Sequence, residues 1–484
     1  MPTPASSGAP GGSTVPNQPP LNVPTLRRSA PARRIAILAS SALALLLSGC
    51  GLQQHLLGSN VKGLGEPAPQ RGVVGFAVTP VPEATLAAQK ILDEGGNAAD
   101  AATAAGFALA VTLPSRAGLG SGGACLIHMK VRKASASTTA LMFLPEPGTG
   151  GGSRPAAVPM LARGLIAMQA RYGRLSLAAD MAPAETMAGG GVPVSRTLAA
   201  DLSVVGNAFL ADPAARAIFA GPDGRILGEG ATLQQPDLAN VLNRLQANGV
   251  LDFYQGRLAA RITNAADQAG GGLTTANFQS AKPFYATPIT LHRFGTQIAL
   301  LPRPAFGGVG AAAGIEALAQ NPQNLQFAAS QARDSAIAVR NGGGAGSDAL
   351  PASAGFAVLD DQGGAVGCVT SMDNLFGTGR VAPGTGIVLA ASPSRIKPPL
   401  LAAGLATQGA KFRAMAVGSG QQGAPMAVAD GLYNALHTRT AMPNAVPSPG
   451  RVSVIACAGG LPGAPKSCAA AADPRSFGLA VGNR

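Results

Sequence analysis

Five cysteines are the residues of this chain whose type and spacing most directly suggest chemistry. Cys457 and Cys468 bracket the segment AGGLPGAPKS, a Pro- and Gly-rich loop short enough to close as a disulfide in an oxidising compartment. Cys125 and Cys368 lie in apolar, strand-like runs, and we expect them to be buried small hydrophobic residues. The fifth, Cys50, directly follows an apolar run near the start of the chain.

The residues around Cys50 are typical of an export signal. The basic segment RRSAPARR (27–34) precedes an apolar run over 35–47, which is too short to span a membrane as a helix. The tetrad Leu47-Ser48-Gly49-Cys50 resembles the bacterial lipobox, in which the Cys thiol is acylated and becomes the mature N-terminus. An ordinary signal with a chance Cys is the alternative. We expect a lipoprotein signal peptide with a long n-region over 1–50 and a tether over 51–70.

The segment after Cys50 also bears on location. Gly51 stands where an Asp would signal retention in the inner membrane. We therefore expect an exported, membrane-anchored lipoprotein that faces the periplasm, in the outer membrane.

The net charge of +13 would suit a nucleic-acid-binding protein, but its distribution does not. The basic residues are scattered singly, without a basic stripe or an interleaved aromatic platform, and four of them belong to the export signal. We expect no nucleic-acid partner.

Two further sequence patterns bear on the binding of a phosphate or a metal ion. The glycine-rich turn AGLGSGG (117–123) could cradle a phosphate, but no Lys-Ser/Thr follows it, so it is not a P-loop. The four histidines are far apart in sequence, and no metal-ligand spacing occurs. We expect no cofactor and no metal.

The hydrophobic pattern predicts an α/β layered body. Strands are expected at each end of the body and helices between them. The segments that carry this prediction are a buried strand at 72–80, two helices over 82–114 broken at Gly95-Gly96, a strand after the glycine-rich turn, a mostly helical region over 155–300, a polar and Gly-rich region over 318–352, and a hairpin around Gln362-Gly363-Gly364.

Several segments, in this order along the chain, resemble the gamma-glutamyltransferase (gamma-glutamyltranspeptidase) family. The opening helices with the motif GGNAAD, the turn AGLGSGG, a long middle segment over 215–262 and the elements GLT and LPRPAFGG (301–308) all resemble family segments. The run FAVLDDQGGAVGCVTSMDNLFGTGRVAPGTGI (356–387) resembles the start of the family's small subunit, and ADPRSFGLAVG its C-terminus. The resemblance implies a four-layer αββα sandwich of the N-terminal-nucleophile hydrolase type.

The resemblance also implies a chain that cuts itself into a large and a small subunit. It places Ser353 at the position of the family's nucleophilic Thr, which implies a large-subunit-like region over 71–352 and a small-subunit-like region over 353–484. A second family hydroxyl falls on Ser371. The family's Asn that binds the substrate's amino group becomes Asp373, and a carboxylate also suits an ammonium.

Other family positions are altered. The Arg that clamps the substrate's α-carboxylate aligns with Leu144, and losing such a contact removes about 2 kcal/mol of binding. A family Ser-Ser pair aligns near Leu401-Ala402. The remaining changes fall on Ser392 and Arg395, which replace a Gln and an Asp of the substrate site, and on Gln421 and Gln422, which replace the Gly-Gly of the oxyanion site. Backbone N–H groups act at an oxyanion site, so its side chains can vary. Arg395 could bind a carboxylate from the opposite side.

Two functions follow from the resemblance. The first is an amidohydrolase or acyltransferase, matured between Ala352 and Ser353, whose two fragments stay associated and act on a small peptide or a γ-glutamyl or related amide in the cell envelope. The second is a catalytically degenerate member that serves as an envelope binding or structural lipoprotein. The hydroxyls Ser353 and Ser371 favour the first, and the lost Arg favours the second.

Overall fold

The computed structural model describes residues 74–131, 135–341, 349–438, 441 and 446–482, which belong to one compact unit. The predicted signal peptide, Cys50 and the tether over 51–70 lie outside the described residues. No helix within the described ranges is both long and apolar enough to cross a membrane. The boundary predicted between 352 and 353 falls inside the compact unit and stays a prediction.

Nineteen strands are present in the described residues, and thirteen of them build two antiparallel sheets. The strands are β1 (Gly75–Thr79), β2 (Gly122–Met129), β3 (Ser137–Phe143), β4 (Glu146–Pro147), β5 (Ala157–Val158), β6 (Val192–Pro193), β7 (Thr232–Leu233), β8 (Phe284–Ala286), β9 (Ile289–Arg293), β10 (Thr296–Leu300), β11 (Ser353–Asp360), β12 (Ala365–Ser371), β13 (Val381–Ala382), β14 (Ile387–Val388), β15 (Ala403–Gln408), β16 (Lys411–Ser419), β17 (Arg451–Leu461), β18 (Cys468–Ala471) and β19 (Leu479–Gly482).

The strand order joins distant parts of the chain. The first sheet has the order β19-β1-β11-β12-β2-β3-β8, and the second has the order β18-β17-β16-β15-β10-β9. Strand β11 lies between β1 and β12, so the predicted small-subunit-like region is paired on both sides within the first sheet.

The helices form the outer layers. They are α1 (Pro82–Asp93), α2 (Ala98–Thr112), α3 (Pro114–Ala117), α4 (Leu161–Tyr172), α5 (Leu177–Gly190), α6 (Arg196–Leu210), α7 (Pro213–Phe219), α8 (Pro236–Tyr254), α9 (Arg257–Gln268), α10 (Thr275–Ser280), α11 (Gly307–Gln320), α12 (Leu325–Asn341) and α13 (Ala424–Tyr433). Helices α1, α2 and α4 pack on the first sheet, and α11 and α13 pack on the second.

Three apolar cores separate the four layers. In β11, Phe356 and Val358 face the helices, whereas Ala357 and Leu359 face the second sheet, as the two-residue period of a strand requires. The core between the sheets also holds Val417 of β16. A third core lies between the second sheet and its helices. The expected αββα sandwich is therefore the observed fold.

The GGNAAD motif builds the break between α1 and α2. The Asn97 side chain accepts the N–H groups of Ala99 and Asp100, and the Asp100 carboxylate accepts the N–H of Asn97, which makes a capping box. Gly95 has a φ of +94°, a conformation that glycine adopts without strain. This motif therefore fixes the start of a fully buried helix.

Two predicted segments need correction. The stretch 284–300 was expected to continue a mostly helical region, but it forms β8, β9 and β10. The polar region 318–352 contains the helix α12. The predicted strand within 72–80, the two helices broken at the glycine pair and the hairpin of β11 and β12 are confirmed.

Candidate active site

Ser353, Ser371 and Gly122 form a row across the first sheet. Ser353 opens β11 and lies opposite Ser371, which ends β12, and Ser371 in turn lies opposite Gly122. Ala352 and Met372 are hydrogen-bonded beside this pair, so Ser353 and Ser371 occupy a non-hydrogen-bonded position, where opposite side chains are closest. Both side chains share the face of Ala357 and Val369, which is directed at the second sheet.

The hydroxyl of Ser353 contacts the second sheet. Only 2% of Ser353 is exposed, and its Oγ accepts the backbone N–H of Gly420 at 3.3 Å. Gly420 follows β16 and has a φ of +97°, and a Cβ at this position would lie 2.1 Å from the carbonyl oxygen of Pro449. Only glycine therefore fits at the residue that donates to Ser353.

The chain before Ser353 is held by three hydrogen bonds. The carbonyl oxygen of Ala352 accepts the N–H of Met372 at 3.2 Å. Leu350 donates its N–H to Asn374 Oδ1 at 3.0 Å, and its carbonyl oxygen accepts Gln421 Nε2 at 3.3 Å. The peptide bond between Ala352 and Ser353 is therefore fixed from the return strand and from the turn after β16.

Asp373 is buried beside this row. Its N–H donates to Ser371 Oγ at 2.8 Å, and its φ of +61° turns the chain away from β12. The carboxyl group is 1% exposed, and its Oδ2 has no hydrogen-bond partner among the described residues. Burial raises the pKa of Asp373 well above its usual range, because the charged form loses its hydration.

Asp373 lines a cavity of about 250 Å³. Most of the lining is apolar and includes Leu144, Leu401, three phenylalanines and five prolines. The charged or acidic side chains of the lining are Glu146, Lys282 and Asp373. Burial raises the pKa of the Glu146 carboxyl, and the positive charge of Arg163 partly opposes this shift.

The other predicted site residues take different positions. Ser392 is buried, and its Oγ is hydrogen-bonded to Ser394 Oγ at 2.9 Å. Arg395 is exposed and does not belong to the cavity lining, so the structure does not bring it to Asp373. Gln421 and Gln422 form a short 3₁₀ turn directly after Gly420.

Sequence reasoning missed three groups of the site. They are the N–H of Gly420, the N–H of Met372 and the side chain of Asn374. Asn374 could have been noticed as a polar residue directly after Asp373. The two backbone groups carry no signal in the sequence, because any residue type can supply them.

Both cysteine pairs are disulfides in the structure. Cys457 and Cys468 are bonded across β17 and β18, the pair that the short loop suggested. Cys125 and Cys368 are fully buried, as expected, but they are also bonded to each other, which was not expected. The bond forms because β2 and β12 pair in a register that places the two cysteines opposite each other.

The described residues carry no obvious metal or phosphate site. No group of three or more His, Cys, Asp or Glu side chains within the described ranges is placed to hold a metal ion. The glycines of the AGLGSGG turn serve close backbone approach, since a Cβ on Gly120 would lie 2.1 Å from the carbonyl oxygen of Val388. The partial negative charge of carbonyl oxygens packed against this turn disfavours the binding of a phosphate.

Comparison with known proteins agrees with this architecture. The family model described as Gamma-glutamyltranspeptidase matches residues 84–342, and Ser353, Ser371 and Gly420 lie after the matched residues. The glutathione hydrolase proenzyme of Escherichia coli (strain K12) is 33% identical over 257 residues, which cover 50% of this chain and 44% of that protein. The chain thus spans less than half the length of this relative.

Two solved structures extend the comparison. The structure of cephalosporin acylase from Bacillus halodurans matches this one with a TM-score of 0.68 at 20% sequence identity. The match covers 87% of this chain and 99% of the acylase chain, and it shows a likeness of fold. The structure of the gamma-glutamyltranspeptidase of Helicobacter pylori matches with a TM-score of 0.50 at 29% sequence identity, and the match covers 57% of this chain and 85% of that chain. Since the family model alone matches more than half of the residues, this chain belongs to the gamma-glutamyltranspeptidase family.

Proposed function

We propose that the chain is an N-terminal-nucleophile amidohydrolase or acyltransferase that cuts itself between Ala352 and Ser353. The observation that carries the proposal is the placement of the Ser353 hydroxyl. It is buried at the start of a central strand, accepts the N–H of Gly420, and follows a carbonyl group that Met372 holds.

Self-cleavage would begin with attack of Ser353 Oγ on the carbonyl carbon of Ala352. The developing negative charge on the Ala352 oxygen lies against the N–H of Met372, a backbone donor already in place. Oγ loses its proton as it bonds to the carbonyl carbon, the C–N bond breaks, and the nitrogen of Ser353 takes up that proton, so that an ester joins Ala352 to Oγ. Water hydrolyses the ester and leaves a carboxylate on Ala352 and a free amine on Ser353.

The same hydroxyl would then act on amide substrates. The free α-amine of Ser353 accepts the proton of Oγ as Oγ attacks the substrate carbonyl, and donates it to the leaving amine. Water or an acceptor amine then releases the acyl group from the ester. The N–H of Gly420, which already contacts Ser353 Oγ, and the backbone N–H groups of Gln421 and Gln422 in the turn that follows it are the donors that we propose for this reaction.

The position of β11 supports continued association of the two fragments. After a cut, the strand that begins with Ser353 would still be paired with β1 on one side and β12 on the other. The relative from Escherichia coli is named a proenzyme and a glutathione hydrolase, which supports a matured enzyme for γ-glutamyl or related amides. We propose that it acts in the cell envelope, held by a lipid on Cys50.

The alternative function is that of an uncut, degenerate family member that binds a ligand in the envelope. The observation in its favour is the replacement of the carboxylate-clamping Arg by Leu144, which lines the cavity. This alternative requires neither a free Ser353 amine nor turnover.

A denaturing gel under reducing conditions tests the proposal. Wild-type protein should give two fragments, the smaller beginning SAGFAVLDD. Ser353→Ala should give one uncut chain, whereas Ser353→Thr, which keeps the hydroxyl, should be cut. An intact wild-type chain that runs identically to Ser353→Ala would exclude the enzyme and favour the binding protein.

A further inference from the structure

We propose that the cavity beside Asp373 takes the acyl group of the substrate, and that this group is a short apolar chain without the α-carboxylate of a γ-glutamyl group. The inference rests on the proposed function. It names the substrate class of the same site.

The cavity lies where an acyl group on Ser353 would extend. Phe143 lies opposite Gly123, so the next residue, Leu144, continues the row that Ser353, Ser371 and Gly122 form. Leu144 packs in the core between the sheets, the side to which Ser353 is directed. Three strand spacings of about 4.8 Å, roughly 14 Å in all, separate Ser353 from the strand position of Leu144. Asp373 follows Ser371 by two residues and lines the same cavity as Leu144, so we place the near end of the cavity at Asp373. A short acyl group on Ser353 that extends along the row would enter the cavity at this end.

The lining of the cavity suits carbon rather than a carboxylate. Leu144 and Leu401 stand on the cavity wall at positions where the resemblance implies an Arg and a Ser. Three phenylalanines, Phe143, Phe284 and Phe306, and five prolines complete the apolar wall. A carboxylate placed against these side chains would lose its hydration without gaining a partner, which is costly in a buried site.

The cations near the cavity do not replace the missing Arg. Among the described residues that line it, Lys282 is the one with a cationic side chain, and it is exposed and accompanied by Glu146. The guanidinium of Arg163 is hydrogen-bonded to the carbonyl oxygens of Phe278 and Ala281. Lys282 is thus at the rim of the cavity, and Arg163 is already engaged.

Asp373 is compatible with an apolar acyl group because burial disfavours its charged form. Its Oδ2 has no hydrogen-bond partner among the described residues, and burial raises the pKa of its carboxyl group, which favours the protonated form. Such a group offers a single hydrogen bond and repels no carbon chain. A second carboxyl group beside it would be unfavourable.

A panel of p-nitroanilides tests the substrate class in the wild-type protein. We expect kcat/KM to rise from the butanoyl to the hexanoyl anilide by about 15-fold, since each of the two added methylenes contributes roughly fourfold when buried. The glutaryl and γ-glutamyl anilides, which carry a carboxylate, should react at least 100-fold more slowly than the hexanoyl anilide. Faster hydrolysis of the γ-glutamyl anilide would overturn the inference and leave the proposed function intact.

Two substitutions locate the selectivity. Leu144→Arg should lower hexanoyl turnover and raise γ-glutamyl turnover, whereas Leu86→Arg, the same change at a leucine that is 55% exposed on α1, should change neither. The opposite outcome has two parts: the wild type prefers the γ-glutamyl anilide, and Lys282→Met loses this activity. Lys282 would then be the residue that binds the α-carboxylate, and an apolar site would be refuted.

Binding separates failure of the inference from failure of the proposed function. Hexanamide and L-glutamine are titrated into Ser353→Ala, and their binding is measured by calorimetry. If the wild-type protein proves inactive, the same titrations are made with wild-type protein. Tighter binding of hexanamide supports an apolar acyl site even if the chain neither cuts itself nor turns over an anilide. Tighter binding of L-glutamine, or no binding of hexanamide, overturns the inference whatever the gel shows.

Discussion

The backbone N–H of Gly420 donates to the hydroxyl of Ser353 across the gap between the two sheets, over 3.3 Å. The donor belongs to the turn after β16 in the second sheet, and the acceptor opens β11 in the first. The site is therefore made where the ends of two sheets meet. Neither sheet could provide it alone.

Substitution of Gly420 tests this contact. Gly420→Ala would place a Cβ against the carbonyl oxygen of Pro449, so the turn must move and carry the N–H away from Ser353. We expect self-cleavage and turnover to fall by about 100-fold, the effect of losing one donor at such a site. Gel densitometry against time and anilide hydrolysis measure the two effects.

Gly409→Ala is the matched control for that substitution. Gly409 also has a positive φ, of +58°, but a Cβ there would meet no atom within 4 Å. An alanine there would also adopt a positive φ, but it would meet no clash, in the turn between β15 and β16. Equal losses in both variants would show that general strain, rather than the Gly420 contact, limits the reaction.

The predicted lipid anchor is tested at Cys50. In Cys50→Ala the acylated thiol is absent, so we expect an unprocessed precursor or release of the protein from membranes. Gly49→Ala, which keeps a small residue before the cysteine, should still be anchored. Cell fractionation and mass spectrometry give the result, and a Cys50→Ala protein found in membranes at mature size would refute the lipobox.

Asp180 predicts a pH-dependent stability. Asp180 is fully buried in the first turn of α5, and burial, aided by the charge of Asp100, raises its pKa to about 8. The folded protein thus holds a proton that the unfolded chain releases near pH 4. The free energy of unfolding should therefore fall as the pH rises from about 4 to 8.

The variant Asp180→Asn removes this titration. Because the amide stays neutral, its stability should exceed that of the wild type at pH 8, and the two should converge near pH 4. Denaturant unfolding at pH 4, 6 and 8 measures the difference. Asp267→Asn makes the same change at an exposed position on α9 and is the control. A pH-independent difference for Asp180→Asn would mean that packing, rather than ionisation, is responsible.

Local signals account for the parts of the fold that the sequence predicted. The hairpin of β11 and β12 is specified by two apolar runs around Gly363, whose φ is +83°. The break between α1 and α2 follows from the glycine pair and the Asn97 cap. In each case the determining residues lie within a few positions of one another.

Some of the missed parts had a local pattern that could have been recognised, and others depend on distant partners. Strands β9 and β10 form a hairpin around Phe294 and Gly295, a local signal, whereas β10 also pairs with β15, more than 100 residues later. Helix α12 had a readable signal, since Ala328, Ala332 and Ala336 repeat every four residues and are buried. The contact of Gly420 with Ser353 spans 67 residues and two sheets, so no local pattern could reveal it.

The disulfide of Cys125 and Cys368 gives the last prediction, because it crosses the proposed cut. Cys125 lies in the region before Ser353 and Cys368 in the region after it, and the two are joined between β2 and β12. A chain cut at Ser353 should therefore remain one covalent molecule. We expect one band on a denaturing gel without reductant and two bands with reductant.

The second disulfide supplies the control. Cys457 and Cys468 both lie after Ser353, so Cys457→Ala should leave the link between the fragments intact. Cys125→Ala should release the fragments without reductant, although β11 would still hold them together in the native fold through its pairing with β1. Wild-type fragments that separate on the gel without reductant would show that the bond does not form in the mature protein. The association of the two fragments would then depend on strand pairing and packing alone.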